Sequence, residues 1–307
     1  MRTAIPLTVL AAALACSLAT APANARARVF VASYGNDANA CTFGSPCKTF
    51  QIAVNAVDAG GEVTAIDSAG FGPIDINNKS VTITSPLGIE AGIVPASGSN
   101  AININSASTD KVVLRGLTLD GAGSGLNGIA VGNVGVLEID GCVIRNFTEH
   151  GINYGSGNTT TYALVIHNTV ISLNAGQGVD IAPLGAVNVI IDNVVVTNNK
   201  LDGISVNANL ATTAVVSNSV LSGSGFFGLL VQGPAKAMVS NSVVSSNGQD
   251  GLNVNGATAT LRVTKTTITA NPVGWAATNG ALLESFGDNS LRGNTTDGTP
   301  TATVGLK

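Results

Sequence analysis

Charge is scarce in this sequence: Asp, Glu, Lys and Arg make up only 10% of 307 residues, and aromatics only 4%. A disordered chain is rich in charge and poor in Val and Ile, the reverse of what stands here, so disorder is excluded. The 14 Lys and Arg against 18 Asp and Glu leave a net charge of −4 with no basic patch. Nucleic acid is therefore not an expected partner, because nothing neutralises its phosphates. Past the N-terminal leader no apolar run is long and uncharged enough to span a membrane. Histidine and cysteine are few, two and four, and neither Cys41 nor Cys47 has a His or Cys partner at ligand spacing, so no metal site is expected.

The leader occupies residues 1–25. Arg2 supplies a positive end, Ala4 to Thr20 an apolar run, and Ala23-Asn24-Ala25 a small-x-small cleavage site, with Arg26 as the new N-terminus. That is the pattern of a secretory signal peptide. The run is shorter than the ~20 residues of a transmembrane helix. Cys16 opens a lipoprotein alternative, opposed by Ala13 where such signals usually carry Leu. The expected product is secreted, periplasmic or extracellular, and monomeric. Export permits disulfides. Cys41 and Cys47 bracket Thr42-Phe43-Gly44-Ser45-Pro46, a loop short enough to clip, and a bridge there would pin a local turn. Cys142, inside the strand-like Ile139 to Ile144, reads as a packed thiol rather than a nucleophile.

What the chain has in quantity is glycine, 37 residues, and a repeat. Asn168, Asn174 and Gly178 stand at offsets 0, +6 and +10, and so do Asn193, Asn199, Gly203 and Asn241, Asn247, Gly251. The copy between them, Asn218, Ser224, Gly228, differs only at its middle position. The turn glycines Gly128, Gly151, Gly178, Gly203, Gly228, Gly251, Gly274 and Gly298 recur every 23 to 27 residues. A fixed period of this size must be a structural unit. It is too short for a βαβ unit and for a propeller blade of ~40 residues, and Leu is too sparse for leucine-rich repeats. The parallel β-helix remains. The expected fold is all-β, a single-stranded right-handed parallel β-helix of about ten coils of about 24 residues, with a short N-terminal capping helix.

Residues 26–60 form the expected cap: a strand at Val29 to Ser33, the Cys loop, and an amphipathic helix with Thr49 as N-cap and Gly60-Gly61 as stop. Residues 61–307 form the solenoid, irregular as far as Asp110 and regular from Val112. Asn168, Asn193, Asn218 and Asn241 stack in one column, and Asn174, Asn199, Asn247 and Asn271 in another. At the ~4.8 Å strand spacing identical amides can hydrogen-bond up such ladders. Asn also tolerates the left-handed backbone of a sharp turn, so these residues read as architecture. Ile129, Ile152, Val179, Ile204, Leu229 and Leu252 form a core column, to which Trp275 belongs by position.

The Asn-x5-Asn-x3-Gly register, the leader Val31-Ala32-Ser33-x-Gly35-x-Asp37 and Pro46-Cys47-Lys48-Thr49-Phe50-Gln51-x-Ala53 resemble right-handed parallel β-helix proteins of the pectin-lyase-like superfamily. The resemblance runs from residue 29 to about 298. It implies the fold, and it admits pectate lyases, polygalacturonases, epimerases, tailspikes and adhesins, among which fold does not choose. The Asn-Thr-Asp and Gly-His-Gly signatures of polygalacturonases are absent. The coil arginines Arg115, Arg145, Arg262 and Arg292 are scattered, with Arg145 alone near the candidate face, and long substrate-holding loops are missing.

That face is the densest polar group in the coils. His150, Gln177 and Asp202 precede three successive glycines and line up at ~4.8 Å steps, the outer pair ~9.6 Å apart. Asp180 stands beside the row, Glu149 next to His150, and Lys200 on the turn before Asp202. Two carboxylates ~5–9.5 Å apart can serve a glycosidase, which Asp180 with Asp202 or Glu149 could meet. A lyase or epimerase would use His150 or Lys200 as base, and only that alternative would call for Ca2+ as cofactor. Asp-Gly and His-Gly are also ordinary turn dipeptides. The expected function is polysaccharide binding at an outer face without strong catalysis. The alternatives are a polysaccharide lyase, epimerase or glycoside hydrolase, and a structural or adhesive surface protein.

Overall fold

In each coil the alternation of apolar and polar residues buries every second side chain. Along Val187–Asp192, Val187, Val189 and Ile191 are buried while Asn188 and Ile190 face out. This is the period-2 pattern of a strand with one face on a core. The computed structural model describes residues 26–155 and 162–305. The leader over 1–25, with Cys16 and the cleavage site at Ala25, lies outside these residues.

Three parallel sheets enclose one core. In chain order around a coil, the first has twelve strands, the second ten and the third nine. One coil illustrates the path: Tyr162–His167 lies in the first sheet, Val170–Ser172 in the second and Val179–Ile181 in the third. Each strand pairs in register with its counterpart one coil on, as Leu164 with Val189 and Val179 with Ile204. Nine coils are complete in all three sheets, against the ten expected, and Leu282–Ser285 with Ser290–Leu291 begins a tenth. Ala302–Thr303 closes the first sheet on Glu284 and Ser285. Inward columns of Val, Ile and Leu fill the interior, and Trp275, paired to Leu252, is buried among them.

The two corners flanking the second sheet use different devices. At the first, Asn168, Asn193, Asn218 and Asn241 all adopt left-handed backbone, with φ between 48° and 53°. Their amides bond outward along the axis, as when Asn193 Nδ2 donates to Asn168 Oδ1 at 2.8 Å. At the second corner the left-handed residue is the one before the asparagine: Leu173, Asn198, Gly223, Ser246 and Ala270. Asn174, Asn199, Asn247 and Asn271 are instead buried. Asn174 donates both its N–H and its Nδ2 to Asn199 Oδ1, at 3.1 and 2.9 Å, and Asn247 does the same to Asn271. The second ladder is thus an interior hydrogen-bond column that satisfies corner N–H groups which would otherwise be buried unpaired.

The glycine column departs from its expected role as turn hardware. None of Gly128, Gly151, Gly178, Gly203, Gly228, Gly251 and Gly274 has a positive φ. A Cβ at each would lie 2.5 or 2.6 Å from the carbonyl oxygen at the same position of the next coil. Glycine stands there because coils approach too closely for any side chain. The column also ends one residue early: Asp297 takes the next place above Gly274, and Gly298 lies past it with φ +81°.

At the N-terminal end a helix runs over Phe50–Ala56, with Thr49 as N-cap accepting the N–H of Ile52. Asp37 holds Thr49 in place, accepting its N–H and its hydroxyl. The helix stops at Val57, whose backbone is extended, and Gly61 already belongs to the strand Gly61–Ala65, so the stop precedes the expected Gly60-Gly61. Phe50 is buried against Phe71, ring centroids 5.0 Å apart. Cys41 and Cys47 form a disulfide with Cα atoms 4.6 Å apart.

Candidate functional site

The residues before the glycine column form a corner row between the second and third sheets. Their side chains are tied to the backbone of the next coil. Asn100 Oδ1 accepts the N–H of Asn127 at 3.1 Å, Asn127 Oδ1 that of His150 at 3.0 Å, and His150 Nδ1 that of Gln177 at 3.2 Å. Asp202 Oδ1 accepts the N–H of Phe227 at 3.2 Å. The row is therefore built first as a capping ladder, in which Asn100, Asn127, His150 and Asp202 each satisfy a corner N–H. Gln177 bonds the Asp202 carboxylate through its amide, while its Oε1 is buried with no hydrogen-bond partner.

The neighbouring outward column belongs to the third sheet. Asn103, Ala130, Asn153, Asp180 and Ser205 are aligned by strand register. Asp180 bonds the Ser205 hydroxyl and lies within electrostatic reach of both His150 and Asp202. The structure thus brings His150, Gln177, Asp180 and Asp202 into one group and adds Ser205 and Asn127. Ser205 and Asn127 were visible in the sequence only as members of columns. Burial pushes the Asp180 carboxyl above the usual range, against the pull of His150 and Ser205. Burial likewise raises Asp202, and the charge of Asp180 adds to it, while the Phe227 N–H and Gln177 oppose.

Three candidates sit apart from this group. Glu149 is exposed and receives Asn127 Nδ2 at 3.3 Å, on the far side of His150 from Asp202. Lys200 is exposed, and among the described residues it enters no ion pair. Arg145 does not face the group: it lies on the second sheet, paired with Asp120 at 2.9 Å. Cys142 is buried, its thiol pushed up to about 12, so it offers no thiolate. Among the described residues no three His, Cys, Asp or Glu side chains are placed to hold a metal ion. The donors on this face therefore do not assemble the cluster that calcium would need.

A shallow depression on the third sheet is lined by Asn103, Asn105, Ala130, Gly132, Asn153 and Gly155, next to Asp180 along the axis. Small residues at Ala130 and Gly132 make its floor and amides its sides. Across the corner, the residue three positions on is the lateral neighbour, as Asn253 Nδ2 donating to Asp250 Oδ2 at 2.5 Å demonstrates.

Residues 185–306 match the family described as right handed beta helix region, and residues 64–202 match a domain of unknown function, DUF4957. The described residues fold as a right-handed parallel β-helix. Pectate lyase Pel9A shares this β-helix with a TM-score of 0.54 at 14% identity, over 91% of this chain and 76% of the lyase. The A-modules of two Azotobacter vinelandii mannuronan C-5 epimerases are also similar. For AlgE4 the TM-score is 0.46 at 15% identity, over 82% of this chain and 90% of the module. For AlgE6 it is 0.49 at 15%, over 82% and 92%. No curated protein matches the β-helix in sequence. Among the described residues no helix is long and apolar enough to cross a membrane.

Proposed function

We propose that this β-helix is an exported polysaccharide-binding protein that uses the outer face of its third sheet. The observation that carries the reading is the column of amide and carboxyl groups at Asn103, Asn153 and Asp180 on this face, beside a depression lined by Ala130 and Gly132. A ladder of hydrogen-bonding groups repeating along the axis suits a ligand that itself repeats. The fold shared with a pectate lyase supports the polysaccharide class. The leader pattern over 1–25 and the disulfide support export. We retain the division into leader 1–25, cap 26–60 and solenoid 61–307.

A catalytic reading is favoured by one observation, the raised carboxyls of Asp180 and Asp202 beside His150, since a carboxyl that keeps its proton can serve as general acid. Both readings are tested by a glycan array with turnover followed in parallel on the same ligands. Binding that survives Asp180→Ala and His150→Ala unchanged removes this face from the function. No binding to any polysaccharide removes the function itself. Product release lost in the same variants promotes the catalytic reading.

A further inference from the structure

The nine strands of the third sheet contain no Lys, Arg or His. Every ion pair among the described residues lies elsewhere: Arg28, Lys111, Arg115 and Arg262 pair on the first sheet, and Arg145 on the second. What the third sheet presents outward is amide, at Asn77, Asn103, Asn105, Asn153 and Asn255, together with Asp75, Asp180 and Asp250. Among the described residues no Lys or Arg pairs with these carboxylates or with Asp202 at the adjoining corner, and His150 stands within electrostatic reach of Asp180. A polyuronate laid here would set its own carboxylates against them at short range in a partly desolvated site, which is repulsive.

The polar run is broken twice, by the small Ala130 between Asn103 and Asn153 and by an apolar pair beyond Ser205. Phe227 follows Asp202 in the corner row, and Leu230 follows Ser205 in the outward column, paired next to Asn253. The three-residue offset that joins Asp250 to Asn253 places Phe227 beside Leu230. Phe227 and Leu230 are both part-exposed, and Phe226 is 40% exposed. An apolar step one coil deep lies between the buried Asp202 and Ser205 on one side and the part-exposed Asp250 on the other. The aliphatic face of a pyranose can rest on the ring while its hydroxyls reach Asp250.

We infer that the ligand of this face is an uncharged polysaccharide lying along the solenoid axis, with one sugar ring seated on the Phe227–Leu230 step, and that the face discriminates against polyuronates. The inference rests on the polysaccharide-binding reading above and narrows its ligand.

The test is calorimetric titration of the full chain at pH 7 and low salt with hexasaccharides of β-glucan and xylan, of polygalacturonate, and of chitosan. At least one neutral oligosaccharide is expected to bind, with polygalacturonate at least tenfold weaker. Phe227→Ala is expected to weaken neutral binding at least tenfold. Leu230→Asn, which copies the residue at Asn253 one coil on and so preserves the fold, is expected to act in the same direction with the melting temperature held. Polygalacturonate or chitosan binding as tightly as the neutral sugars overturns the inference and leaves the polysaccharide reading standing. Neutral binding unchanged in both variants also overturns it. Absence of binding to every class overturns both.

Discussion

The side-chain amide of Asn199 stands 2.8 Å from where a Cβ on Gly178 would lie. The same contact, at 2.8 or 2.9 Å, recurs between Gly151 and Asn174, Gly228 and Asn247, and Gly251 and Asn271. The Asn-x3-Gly spacing is therefore one device: each interior amide roofs the glycine of the coil below. Gly178→Ala would put its methyl carbon 2.5 Å from Val196 Cγ1 and 2.6 Å from the Gly203 carbonyl oxygen. Overpacking of this kind costs about 3 kcal/mol where backbone must move. Chemical denaturation of Gly178→Ala is the check, and a loss below ~0.5 kcal/mol would show that the coils can part freely there.

Ser224 is the gap in the same ladder. Its Oγ is buried with no partner, and the column loses the shared acceptor that Asn199 provides to Asn174. Ser224→Asn restores an Oδ1 at that height for the N–H and Nδ2 of Asn199, in a corner already shaped for Asn on both sides. The gain expected is about 1 kcal/mol, the net worth of a buried hydrogen bond. A midpoint shift to higher denaturant with unchanged slope would report it, and a shift to lower denaturant would mean the corner at Ser224 is narrower than its neighbours.

The repeat made the fold legible because coil length, strand alternation and the Asn and Gly columns all carry one period. Why glycine recurs was not legible, since left-handed backbone and close approach demand the same residue; only the φ values and the Gly203 carbonyl beside Gly178 separate them. Asp297 and Gly298 show the limit of register read by residue type, because a one-residue slip at the last coil leaves the glycine in view but out of its column. His150, Gln177 and Asp202 read as a row, with Asp180 beside it. The bonds of His150 and Asp202 to N–H groups of the next coil were hidden, because corner geometry sets them. Phe227 interrupts that row, and its place beside Leu230 emerges only from the register of Leu230 with Ser205 and Asn253.

Cys41 and Cys47 clip a loop against the first strand, where Val31 pairs with Cys47 and Phe30 donates its N–H to the Cys41 carbonyl. Those backbone bonds survive loss of the disulfide, so the effect expected of the double variant Cys41→Ser, Cys47→Ser is entropic. For so short a ring it is about 2 kcal/mol. Because each coil of a solenoid leans only on its neighbours, the loss stays near the end. Hydrogen exchange should quicken over residues 28–57 and hold steady beyond the fourth coil. Uniform quickening along the chain would mean that cap and coils unfold as one unit.

Ionisation of Asp202 opposes the fold. It is only 6% exposed, and burial, helped by the nearby Asp180, lifts its carboxyl above the ordinary aspartate value of 3.8. The unfolded chain ionises it near that value, so below it both states are protonated and Asp202 costs nothing. As pH rises through the unfolded and then the folded value, the unfolded state loses its proton first and stability falls; above the folded value the loss is complete. Asp202→Asn keeps an Oδ1 for the Phe227 N–H and removes the charge. The variant should therefore be more stable than the parent at pH 7, with the advantage shrinking to nothing as pH approaches 3.8. Denaturation midpoints of both proteins across this range decide it. An advantage that is constant with pH would place the effect in packing, and a disadvantage at pH 7 would mean that the carboxylate is held by a partner worth more than its burial costs.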